Sequence, residues 1–164
     1  MKGSFKLLLV CSVLFSGCYS FKDVSIPPEV KTVHVNYIEN KATYVNPTLS
    51  PQLTDRLRQK INNQTRLTLI PGDDAHYDIS GTVTGYSVST AGVSDQRASA
   101  NRLTVTVHIV FKNRLDEKAN FEADISRNFD FNAGLSLQQA EAQQSDDILK
   151  NLTDEIFNRI FSNW

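Results

Sequence analysis

From residue 103 to 111 the chain reads Leu103, Val105, Val107, Ile109 and Phe111, with Thr104, Thr106 and His108 opposing them. Successive side chains of a β-strand point to opposite sides of its sheet, so a period of two describes a strand with one dry face and one wet face. A chain with such a strand must build a sheet, and the apolar side of that sheet must be covered.

Other segments supply partners. Thr32 to Tyr37 alternates, with Val33, Val35 and Tyr37 on one parity. Pro27 and Pro28 hold the chain extended just before it. A second strand is expected from Tyr77 to about Val88, with Tyr77, Ile79, Gly81, Val83 and Gly85 sharing a face. The two glycines leave gaps on that face for a helix or an aromatic ring to fill. A fourth strand carries Phe121, Ala123, Ile125, Phe129 and Phe131 on one parity. Arg127 falls on the same parity, which predicts a bulge or a local exit from the core.

Two segments have helical spacing. Leu49, Leu53, Leu57 and Ile61 recur every four residues, with Ser50 as expected N-cap and Pro51 as first helical residue. Arg56, Arg58 and Lys60 fall on its wetter flank. The second helix is expected from Leu137 to Phe161, opened by a capping box of Ser136 and Gln139. The fold expected is α+β: a four-stranded mixed sheet with two helices packed on it, in the order β-α-β-β-β-α.

The N-terminal segment has a separate purpose. Lys2 and Lys6 precede an apolar run from Leu7 to Phe15, too short to span a bilayer as a permanent helix. It ends in Leu14-Phe15-Ser16-Gly17-Cys18, which resembles the lipobox of bacterial lipoproteins; Phe15 departs from the small aliphatic residue usual there. Residues 1–17 are read as a signal peptide, Cys18 as the lipid-modified N-terminus and residues 18–30 as a lipidated tether. Residues 31–164 form one α+β domain. Cys11 leaves with the signal, so the mature chain cannot form an internal disulfide. Tyr19 follows the cysteine where aspartate would retain an enteric lipoprotein at the inner membrane, so the expected location is the outer membrane, lipid-anchored and facing the periplasm or a barrel lumen.

Function classes can then be narrowed. The signal removes two of seventeen basic residues and no acid, leaving fifteen against eighteen acidic, a balance that does not suit nucleic acid. No nucleophile elbow, phosphate loop or zinc-finger spacing occurs, and His76 beside Asp73, Asp74 and Asp78 reads as a solvated turn. No enzyme activity, metal or cofactor is expected. Residues 89–101 are small and polar and read as a long loop between strands. Arg97 and Arg102 in and beside it are candidate lipopolysaccharide contacts, because forked guanidinium donors suit phosphate.

Several stretches together resemble one family. They are Ser25-Ile26-Pro27-Pro28-Glu29-Val30-Lys31-Thr32-Val33, Val45-Asn46-Pro47-Thr48-Leu49-Ser50, Gln64-Thr65-Arg66-Leu67, Asn101-Arg102-Leu103-Thr104-Val105-Thr106-Val107, Leu152-Thr153-Asp154-Glu155-Ile156-Phe157-Asn158-Arg159 and Phe161-Ser162-Asn163-Trp164. In order and spacing they resemble the LptE-type lipopolysaccharide-assembly lipoproteins in the form found in Bacteroidetes. The resemblance implies two helices on a four-stranded sheet. It also implies an LptD-type outer-membrane β-barrel as partner, which the lipoprotein plugs and helps assemble, and contact with lipopolysaccharide in transit. It transfers no lipopolysaccharide-binding residue to a position here. The alternative from another class is a free periplasmic carrier for a lipid or glycan, which needs an enclosed apolar cavity.

Overall fold

A computed structural model describes residues 26–162 apart from 73, 95 and 96, and the side chains of 94–98 are also outside the description. The signal, Cys18 and the terminal Asn163-Trp164 lie outside the described residues.

The strands are β1 (Thr32–Val35), β2 (Glu39–Asn40), β3 (Thr68–Leu69), β4 (Tyr77–Ser94), β5 (Arg97–Asn113) and β6 (Phe121–Asn132). The helices are α1 (Leu49–Gln64) and α2 (Leu137–Phe161). Across the sheet the order is β3-β1-β4-β5-β6, and β2 also pairs with β4. β1 lies parallel to β3 and β4, while β4, β5 and β6 form an antiparallel meander, so the sheet is mixed. The expected architecture is present, with two two-residue strands added.

Both helices cover one face. Val33, Val35, Ile79, Val83, Leu103, Val105, Val107, Ile109, Phe111, Ile125, Phe129 and Phe131 point into a single core. Leu53, Leu57 and Ile61 of α1 and Leu152, Ile156 and Phe157 of α2 close over them. The Ser136 capping box is formed, its hydroxyl accepting from the Gln139 amide.

The structure settles the local details one by one. β1 ends at Val35, leaving Tyr37 exposed and Ile38 buried in its stead. Thr54 explains the step, since its hydroxyl accepts from the Ile38 amide at 3.0 Å while donating to the Ser50 carbonyl. α1 starts at Leu49 with Thr48 as N-cap, so Ser50 is not the cap: its hydroxyl is buried without a partner in the first turn. Pro27 accepts from the Val30 amide at 3.0 Å, closing a turn where an extended run was expected. A register shift between Val83 and Gly85 moves Gly85 off the core face and brings Tyr86 onto it. Ile109 and Ile38 fill the gap at Gly81, where an added Cβ would lie 2.9 Å from Ile109 Cδ1. No bulge interrupts β6 at Arg127, which leaves the core by reaching Glu155 of α2.

Candidate functional site

The largest departure concerns residues 89–101. Residues 89–94 and 97–101 are not loop but continue β4 and β5 as paired strands, with Thr90↔Asn101 and Ser94↔Arg97; residues 95 and 96 lie outside the described residues. Register shifts at Gly92 twist this arm, and Val88 and Val93 are exposed along it. No large apolar side chain has to be buried there, so backbone pairing alone carries the strands outward. Both helices start at this end of the sheet: Asn132 of β6 leads into the Ser136 cap, and Tyr86 lies against the segment that opens α1.

The two candidate arginines differ in setting. Arg97 pairs through its backbone with Ser94 at the top of the hairpin. Arg102 stands on the polar side of β5, and its Nε and Nη2 donate to the two carboxylate oxygens of Asp130 at 2.7 and 2.9 Å. The hydrogen bond from Arg102 holds the Asp130 carboxyl below its usual range, and the same bond raises the guanidinium. Arg102 is therefore a cation already paired with a carboxylate. The Arg97 guanidinium lies outside the described atoms.

Below this pair runs a polar band. Thr104 donates to Asn128 at 2.9 Å, Thr106 and Ser126 share a bond of 3.1 Å, and His108 meets Asp124 at 2.8 Å and Glu122 at 3.6 Å. His34, Asp78 and Asn36 extend the band across β1 and β4. These rows follow from alternation: every second residue of β5 and β6 opposes the core. His76, weighed as a turn residue, accepts the Lys31 amide on Nδ1 at 3.0 Å, while Asp73 lies outside the described residues.

The cations of α1 are engaged inside the molecule. Arg56 pairs with Asp146, Lys60 with Asp154 at 2.6 Å, and Arg58 donates to the Val35 carbonyl at 2.7 Å. Sequence reasoning missed one cluster near the start of α2. Glu141 accepts from the Tyr86 hydroxyl at 2.5 Å and from Tyr44 at 3.3 Å, with the rings stacked 5.3 Å apart. Burial, then the bond to Glu141, pushes the Tyr86 phenol well above its usual range. The three residues come from three distant segments, so no local pattern marks them.

Among the described residues no helix is long and apolar enough to cross a membrane. Among curated proteins no relative matches the sequence. Solved structures share the fold at low identity. Lipoprotein B of Nitrosomonas europaea is 15% identical with a TM-score of 0.53, over 81% of this chain and 83% of that one. A minor lipoprotein of Acinetobacter baumannii is 16% identical with a TM-score of 0.53, over 79% of this chain and 91% of that one. A protein of Xanthomonas campestris is 13% identical with a TM-score of 0.54, over 85% of this chain and 88% of that one. The family model LptE, described as lipopolysaccharide-assembly, matches residues 30–160, with the polar band, α1 and all but the last residue of α2 inside it. The chain belongs to the LptE lipopolysaccharide-assembly family.

Proposed function

We propose that this chain is an outer-membrane lipoprotein, anchored through Cys18, that occupies the lumen of a large LptD-type β-barrel, assists its assembly and contacts lipopolysaccharide in transit. The observation that carries the reading is the division of the sheet. One face is filled by the helices, with Leu53, Leu57, Val105, Val107, Leu152 and Ile156 each at 0% exposure. The other carries the polar rows of Thr104, Thr106, His108, Asp124, Ser126 and Asn128. A hydrophilic lumen suits such a surface, and a stable fit there buries well over about 2,000 Å². A carrier would need an apolar cavity of at least roughly 300 Å³, and the space between helices and sheet is taken by side chains.

The hairpin is proposed to reach along the lumen toward the transported lipid, with Arg97 and Arg102 as its phosphate contacts. The acyl chains on Cys18 would hold the domain near the barrel mouth and raise its effective concentration there. Photo-crosslinkers at Thr104, Thr106 and His108 in intact cells test the reading. The expected result is one large heat-modifiable barrel trapped from these positions, and lower barrel assembly on depletion. Traps that catch no barrel, with a monomer recovered from native membranes, would replace the plug with the carrier. Cys18→Ser should abolish fatty-acid labelling; equal labelling would sink the anchor. Arg97→Glu should weaken lipopolysaccharide binding more than barrel binding.

A further inference from the structure

A sheet that is not closed leaves edges, and a free edge is a row of unpaired backbone donors and acceptors. This sheet treats its edges unequally. One side ends in β3, two residues long. The part of β4 beyond β2 is broken by register shifts at Gly85 and Gly92. The other side ends in β6, twelve residues with an unbroken ladder to β5. At about 3.3 Å per residue that is an edge roughly 40 Å long. It contains neither proline nor lysine, two common guards of an edge.

The direction of its free groups can be read from the ladder. The Ala133 amide donates to Ser99 of the β5 side, so odd-numbered residues of β6 turn their backbone inward. Even-numbered ones turn outward, and the Asp130 carbonyl confirms it by accepting from Gln144 of α2 at 2.9 Å. Among the described residues no side chain or loop takes up the backbone groups of Glu122, Asp124, Ser126 or Asn128. These four form an open strip, and all four side chains are exposed.

We propose that the free edge of β6 binds an extended segment of a partner protein as an added strand, with lysine or arginine at alternate positions. The charge on the strip selects that partner. Glu122 and Asp124 are both more than half exposed, and the histidine between them stands on the far side, on β5. The one basic residue of β6, Arg127, points to the helix face and is bound to Glu155. Pairing with a second copy is disfavoured. In the two antiparallel registers of greatest overlap, centred on Ser126 and on Arg127, Asp130 stands across from Glu122 and from Asp124 respectively, and like charges directly opposite destabilise a strand pair. Main-chain bonds would supply the affinity and the alternating cations the specificity. The inference does not depend on the barrel reading, because any protein with such a strand would serve.

Hydrogen exchange on the full chain, purified from membranes in mild detergent, tests it with two short synthetic peptides. One alternates lysine with valine or threonine, and the other has glutamate in place of lysine. The lysine peptide should slow exchange roughly tenfold at the amides of Glu122, Asp124, Ser126 and Asn128, and leave those between them unchanged. Glu122→Lys with Asp124→Lys should weaken the lysine peptide roughly tenfold and admit the glutamate peptide. Ser126→Pro removes an outward amide without costing a bond to β5, and should abolish the effect. No slowing with the lysine peptide, equal slowing with both, or protection of these amides by self-association without any peptide would overturn the proposal.

Discussion

Val105 shows what one side chain decides. It is fully buried in the middle of β5, between Tyr86 and Arg127 on its neighbours. Val105→Asp would bury a carboxylate beside an arginine already held by Glu155, at a cost on the order of several kcal/mol, a large part of a domain's whole stability. The purified variant should melt far below the parent or fail to fold, and an unchanged melting temperature would mean the faces are reversed. Tyr86 makes a second case. Tyr86→Phe leaves Glu141 with the longer Tyr44 bond alone, and should cost about 1–3 kcal/mol. It should also change behaviour in alkali. The folded state holds the Tyr86 phenol above its unfolded value near ~10, so this contribution is full below that pH and is lost as pH rises through the raised value. The stability of Tyr86→Phe should therefore fall less steeply above pH ~10, as read by denaturant titration at several pH values.

Secondary elements were legible where burial imposes a period. α2 begins and ends where its spacing and the Ser136–Gln139 pair place it. Ser136→Ala removes a hydroxyl that accepts from the Gln139 amide, and should cost about 1 kcal/mol, lowering the melting temperature by about 2–4 °C. A scan matching the parent would show that the helix start is held by packing alone. The outer halves of β4 and β5 were not legible, because both of their faces are wet and nothing there has to alternate. β2 and β3 have two residues each, too few to carry any period. The Gly85 shift reverses parity with a single residue, so Tyr86 looked solvent-facing in the sequence and is core in the structure. Arg127 was read correctly as a break in the core. Its partner Glu155 lies 28 residues away on another element, and local pattern cannot supply it. Of the candidate site, the polar rows of β5 were readable from alternation. The Asp130 clasp on Arg102 was not, because register between strands is set by the whole ladder.

At the scale of the molecule, the connections differ in reach. β4, β5 and β6 join neighbour to neighbour, whereas β1 slots in beside a strand 44 residues further on, as in the His34–Asp78 bond. Contacts between near neighbours cost less chain entropy to close, so topology sets an order of assembly. The meander should form first with α2 laid on it, and β1 should dock last, after α1 has brought β3 alongside. Pulsed hydrogen exchange during refolding should show amides of β4 to β6 protected before those of Val33 and Val35. Simultaneous protection would mean that the parallel pair belongs to the nucleus. On that order the last strand to arrive is the one nearest the N-terminus, and the anchor proposed at Cys18 would hold that end while the rest has already found its fold.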